Sequence, residues 1–330
     1  MRSDILAVLA SSLSLATAHT YIWGVFVNGV DQGTFRGIRT PAYNGPPPRG
    51  YANSPVKDLD SIDMRCNVLG DKQVPHTIQV QPGDNLTLDW HHDNRSASDD
   101  IIDYSHHGPA MVYLSPDPPA DNSFVKIWEK GLYETSDKPY GAGKWATTSD
   151  IKANKGLMHV RIPAGLKAGF YLLRAELVGL HEADASYLKN SRRGIQFYPN
   201  CVQLEVVGDG EVALPTDGVS FPGAYKYEDP GIVYDVYCST ESKATRTAPC
   251  TTTYPIPGPT VWSGAWAETT AVSVGPVLEG STSATRWSSW ISKSVVTSAT
   301  FVGTSPYITA TSTYTASWST EYSAPAPTMA

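Results

Sequence analysis

Eight histidines are spread along the chain, at positions 19, 76, 91, 92, 106, 107, 159 and 181, and the first stands directly behind a small-x-small triplet, Ala16-Thr17-Ala18. Cleavage after Ala18 makes His19 an N-terminal residue, which gives it two ligating groups. Its α-amine and its imidazole can close on one metal ion together. The amine has a pKa of about 7.7–8.0, so a metal displaces its proton near neutral pH. One more imidazole completes a T-shaped set of three nitrogens, and planar nitrogen-rich geometry favours copper(II). Two other stretches offer further groups. "DYSHHGPAMVYL" (Asp103 to Leu114) puts His106 and His107 before a Gly-Pro turn that can hold an imidazole at the end of a strand. "IQFYPNC" (Ile195 to Cys201) puts Gln196 and Tyr198 two apart, hence on one face of an extended segment, with Cys201 to tie it down.

The residues before His19 have the three parts of a secretory leader: Arg2 in a short polar start, an apolar run over residues 5–15, and small residues at Ala16 and Ala18. A membrane-spanning helix needs about 20 apolar residues, and nothing later in the chain supplies them. Residues 1–18 are therefore expected to be removed, with Ala16 as the alternative cut, leaving a secreted chain. A net charge of -7 argues against nucleic acid or an anionic membrane as the main partner. Nine Trp and 18 Tyr suit either a carbohydrate-binding face or an aromatic core, and composition does not choose between them. In an oxidising compartment the four cysteines imply two disulfides, with three possible connectivities. The pairing expected is Cys66–Cys201, a long staple, with Cys238–Cys250, a local one. Asn85-Leu86-Thr87 and Asn94-Arg95-Ser96 are N-glycosylation sequons.

The elements that must position these groups read as strands. Residues 77–80 and 86–90 alternate on either side of a Pro82-Gly83-Asp84 turn. A strand ends before a break at 163–169, a longer one covers 170–180, and "CVQLEVVG" alternates from Cys201. Many short strands with turn signals between them predict an all-β fold, an immunoglobulin/fibronectin-like antiparallel β-sandwich. Long loops at 36–54 and 115–151 would carry its binding surface. From residue 263 to 330 the chain turns Ser/Thr-rich and poor in charge, which predicts a disordered, O-glycosylated tail without an apolar anchor. The predicted organisation is thus a leader at 1–18, a catalytic domain at 19–262 and a tail at 263–330.

Several pieces together carry a family resemblance: "HTYIWGVFVNGVDQG", "GIRTPAYNGPP", "NSPVKDLDSIDMRCN", "SHHGPAMVYL", "GFYLLRAELVGLHEA", "IQFYPNCVQLEV", "VSFPGAYKYEDPGI" and "YPIPGPTVW". In this order, over 19–262, the chain resembles a fungal lytic polysaccharide monooxygenase of auxiliary activity family 9, formerly glycoside hydrolase family 61. The resemblance implies one copper ion per chain, held by His19 through amine and imidazole and by His106, the first histidine of the "SHxGP" motif. It makes Tyr198 the axial phenol, and makes His181 and Gln196 hydrogen-bonding groups for the oxygen species. Tyr225, with Tyr21 beside it, becomes a stacking contact for substrate. The implied partners are cellulose or a related β-glucan, with hemicellulose as a further candidate, an external electron donor (a small reductant or a redox enzyme) and O2 or H2O2. Hydroxylation at carbon 1 or carbon 4 would break the glycosidic bond in a monomeric enzyme. His107 falls at the motif's variable position and is expected to be an exposed side chain, and His91 and His92 to be solvated loop residues. Two other readings compete: a hydrolase using carboxylates such as Glu176, Glu182 and Asp184, and a copper-binding protein without oxidative activity.

Overall fold

The computed structural model describes residues 19–41, 53–136, 142–238, 253–266 and 271–277. In chain order the elements are β1 (Tyr21–Val27), β2 (Val30–Asp31), β3 (Ile38–Arg39), α1 (Asp63–Cys66), β4 (Ile78–Val80), β5 (Asn85–His91), β6 (Ala110–Pro116), β7 (Val125–Lys130), β8 (Leu132–Glu134), β9 (Lys144–Trp145), a π-helical turn (Ala146–Ile151), β10 (Leu157–Arg161), β11 (Gly169–Gly179) and β12 (Gln196–Val206). One sheet has the order β10-β5-β1-β2, and the other β3-β12-β11-β6-β7 with β4 joined in parallel to β12. The remaining pairings named here are antiparallel, so the predicted β-sandwich is what forms. Among the described residues, no helix is long and apolar enough to cross a membrane.

The turn at Pro82-Gly83-Asp84 does not make a hairpin. It carries the chain from β4 in the second sheet to β5 in the first. The expected loop at 115–151 also contains structure, since β7, β8 and β9 lie within it. β8 and β9 are only three and two residues long, and β7 does not alternate, so none of them stands out in the sequence.

The molecule has two apolar layers. Ile22, Val25, Leu88, Trp90, Leu177, Tyr198 and Val202 belong to the layer between the sheets. Phe197, Cys201, Leu172 and Val178 point out of the second sheet into another, closed by Met64 from α1 and by Val56, Phe221, Tyr225, Ile232 and Tyr254 from loops. β11 and β12 are therefore buried on both faces. Such strands lose the clean polar side of a half-exposed strand. The Cys66–Cys201 disulfide ties α1 to the outer face of β12. Cys250 lies outside the described residues, and with it the expected Cys238–Cys250 pair.

Beyond Trp262 the chain continues to pack on the first sheet. Trp266 donates from Nε1 to the Ile162 carbonyl at 3.0 Å, and the Arg161 guanidinium sits 3.7 Å from the centre of its ring. Gly275 donates to the Gly29 carbonyl at 2.7 Å. The leader and residues 278–330, including most of the predicted tail, lie outside the described residues.

Candidate metal centre

His19 lies two residues before the start of β1, and two contacts fix where that strand begins. The Ile22 amide donates to the Asn200 side chain on β12 at 3.2 Å, and the Thr20 hydroxyl donates to the His91 carbonyl at 3.3 Å. Asn200 shares a face with Tyr198 and Gln196, because strand side chains alternate. The His19 ring consequently lies 6.3 Å from that of Tyr198.

His106 arrives on the loop before β6. Its amide donates to the Asp103 carbonyl at 3.0 Å, and its own carbonyl accepts from the Thr147 hydroxyl at 2.7 Å. Two glycines make room for it. A Cβ on Gly108 would stand 2.0 Å from the Val178 carbonyl oxygen, and one on Gly179 would stand 3.0 Å from the His106 ring. The loop can thus press onto the end of β11, where Leu180 donates to the His107 carbonyl at 2.9 Å. His106 is buried, and its Nε2 lies 3.0 Å from the Tyr198 hydroxyl. Burial, helped by the neighbouring His181, pushes its pKa down to about 3. The ring is neutral near pH 7, which is the state that ligates a metal.

Tyr198 donates to Gln196 Oε1 at 2.7 Å, and burial pushes its phenol well above the ordinary range, so it stays neutral. The His181 ring is 4.1 Å from that of His106, and its Nε2 is 3.4 Å from Gln196 Nε2. Its buried Nδ1 has no hydrogen-bond partner. Buried polar atoms are rarely left so. Burial also lowers the His181 pKa.

Among the described residues, no three His, Cys, Asp or Glu side chains converge on a point. That fits a site built from two imidazoles, a terminal amine and a phenol. The neutral His106 ring, the protonated Tyr198 phenol and the unpaired His181 nitrogen suit a nitrogen-bound metal open on one side. All five residues expected at the centre, His19, His106, His181, Gln196 and Tyr198, lie at this end of the sandwich.

Other expectations fail on geometry. Tyr225 is not a surface tyrosine. It is 3% exposed, stacks on Phe197 with ring centres 5.0 Å apart, and gives its hydroxyl proton to Glu176. Loop residues that close the outer layer cover it, so it presents no face to a polymer. Tyr21 is also buried, against Trp23 and Phe35. His91 and His92 are not solvated. The two ring nitrogens of His91 face Asp89 at 2.9 Å and Asp99 at 3.1 Å, and His92 Nδ1 faces Asp100 at 3.0 Å. Carboxylates occupy both nitrogens of His91 and one of His92. Nor is His107 exposed: it is half-buried, bonded to Thr148 at 2.8 Å and edge-on to Tyr237.

The carboxylates of the hydrolase reading are also committed. Glu176 is fully buried against Arg174, Asp184 is paired with Arg193, and Glu182 accepts from Gln196. Two residues near the site were not anticipated. One is Glu182 in its role beside Gln196. The other is Tyr104, 74% exposed and two residues before His106. Tyr104 lies in the quoted "DYSHHGP" stretch, and its adjacency to His106 was the available signal.

Comparison with known proteins agrees with this arrangement. The model of Auxiliary Activity family 9 (formerly GH61) matches residues 19–245. An AA9 family lytic polysaccharide monooxygenase A from Aspergillus niger is 44% identical over 261 residues, 78% of this chain and 56% of that protein. One from Schizophyllum commune is 45% identical over 264 residues, 79% of this chain and 96% of the other. The chain thus spans little more than half the length of the first of these relatives. The solved structure of CvAA9A shares 38% identity with a TM-score of 0.62, covering 75% of this chain and 99% of that one. The extended catalytic domain of H. jecorina LPMO9A shares 25% identity with a TM-score of 0.56, covering 79% and 97%. With its family model matched from His19 onward and its site residues gathered at one end of a β-sandwich, the chain belongs to Auxiliary Activity family 9.

Proposed function

We propose that this protein is a secreted, copper-dependent lytic polysaccharide monooxygenase that cleaves β-1,4-glucan. The observation that carries the reading is that two imidazoles, His19 and His106, stand beside the buried Tyr198 phenol, with ring centres 6.3 Å and 5.9 Å from its own. His19 and His106 would hold the ion. When bound and reduced by an outside donor, copper supplies the oxidising chemistry that hydroxylates a glucan carbon beside the glycosidic bond, at carbon 1 or carbon 4, from O2 or H2O2.

The chain's own residues do the rest. Removal of residues 1–18 frees the His19 amine for binding. Tyr198, kept neutral by burial, would face the ion with an uncharged hydroxyl and so add no charge to the site. Gln196 and His181 stand within 3.4 Å of one another and can hydrogen-bond groups on the open side. Polymer contact falls to the exposed Tyr104 rather than to Tyr225 or Tyr21. Of the two sequons, Asn94 is exposed on a loop and fits a glycan, whereas Asn85 begins β5 and is half-buried.

The test is product analysis with the matured, copper-loaded protein on cellulose. With ascorbate it should release aldonic acids or 4-keto sugars, and without reductant it should release none. His19→Ala, or a chain cut after Ala16, should lose those products. Native sugars in their place would indicate a hydrolase, and copper binding without cleavage a non-oxidising protein. Either outcome overturns the proposal.

A further inference from the structure

The carboxamide of Gln196 has two ends of nearly equal shape and opposite hydrogen-bonding character. Its orientation decides what Tyr198 does. With Oε1 towards the phenol, Tyr198 must donate its only O–H to Gln196. Its lone pairs are then left facing His106, whose Nε2 lies 3.0 Å away. Reversed, an N–H would occupy one of those lone pairs and the phenol proton would be left to turn toward His106. The first arrangement keeps the proton directed at Gln196 and both lone pairs of the phenol oxygen free.

Gln196 Oε1 is indeed on the phenol side, at 2.7 Å, and its Nε2 is 2.9 Å from Glu182 Oε2. A carboxylate only accepts hydrogen bonds, so Glu182 compels the NH2 end to face it. The other N–H of that group is directed at His181 Nε2, 3.4 Å away. Glu182 is held in turn by Lys57, whose Nζ lies 3.7 Å from Glu182 Oε2 and donates to the Arg192 carbonyl at 2.9 Å. Lys57 comes from the segment before α1, Glu182 follows β11 and Gln196 begins β12, so three separate pieces of chain meet here.

We infer that Glu182 is a positioning residue of the metal centre: through Gln196 it sets the direction of the Tyr198 hydrogen bond and the N–H that reaches His181. This rests on the copper reading above, and the experiment separates the two. Matured wild-type protein, Glu182→Leu, Glu182→Gln and a Gln196→Leu control are compared for copper(II) uptake by calorimetry, for the copper(II) electron paramagnetic resonance spectrum, and for thermal unfolding. If wild type takes up no copper, the copper reading itself fails. Where it does, one ion per chain is expected in every variant. Glu182→Leu, which removes the acceptor at similar volume, should shift the spectrum in the same direction as Gln196→Leu. Glu182→Gln, which can turn either end to Gln196, should give a mixed or intermediate spectrum. Partners at this distance from a metal commonly change activity about 10–100-fold, and reductant-dependent peroxide formation should change within that range. Should both Glu182 spectra superimpose on wild type while that of Gln196→Leu moves, the positioning role is overturned. If the leucine variant does not fold, the glutamine variant decides by the same comparison.

Discussion

His106 is the residue on which sequence and environment act most visibly together. A histidine in water has a pKa near 6.5, and burial among His181 and His19 brings this one down to about 3. A depressed pKa means that the unfolded chain binds the proton more readily than the folded one. The metal-free protein should therefore hold its full stability above pH 6.5 and lose it progressively as pH falls towards 3. His181 and His107, also lowered by burial, act in the same sense. Urea unfolding of the metal-free protein at pH 7 and pH 5 checks this. Stability should be lower at pH 5, and His106→Gln should narrow the gap between the two conditions. An unchanged gap would show that the His106 ring is solvated.

At the level of elements, the site depends on two strand ends that approach unusually closely. Gly108 lies against the backbone of β11, where an added methyl group would meet the Val178 oxygen at 2.0 Å. Backbone cannot move aside as a side chain can. Gly108→Ala should cost about 1–3 kcal/mol, the usual penalty of overpacking, and should displace His106. A lowered denaturation midpoint together with weaker copper binding checks both effects, and wild-type values for each would refute the close approach. A second element is the described stretch just after Trp262, which packs on the first sheet through Trp266. Its Trp266 meets Arg161 in a cation–π contact worth about 1 kcal/mol. Trp266→Ala should lower the melting temperature by about 2–4 °C for a domain of this size. Calorimetry checks this, and an unaltered melting point would make the segment dispensable.

Considered as a whole, the molecule answers the question that its composition left open. Many of its tyrosines form structure rather than a binding face. Tyr113, Tyr225 and Tyr254 line the layer outside the second sheet, where loops complete a core that the sandwich alone does not have. Arg174 and Glu176 are buried in the same region as a 2.7 Å ion pair, with Arg174 also donating to the Met64 and Arg65 carbonyls. A buried charge needs such partners. The loops that hold this layer together and the loop that presents His106 are thus packed into the same folded unit.

Much of this was legible without coordinates. His19, the "SHHGP" turn, the two-residue spacing of Gln196 and Tyr198, the Cys66–Cys201 staple and the β-sandwich all depend on local pattern or on residue type, which a linear reading retains. What escaped depends on which surfaces meet. Tyr225 could not be known as buried before residues 221–236 were placed against the outer face of the second sheet. His91 and His92 could not be known as paired before a turn brought back Asp99 and Asp100. Glu182 sits beside Gln196 only because the ends of β11 and β12 are neighbours in the ladder, where Gly179 is opposite Gln196. Residue type and spacing determined which groups are available for chemistry. Tertiary structure decided which of them are covered, paired or gathered at the candidate site, because burial and hydrogen bonding are set by chain segments far apart in sequence.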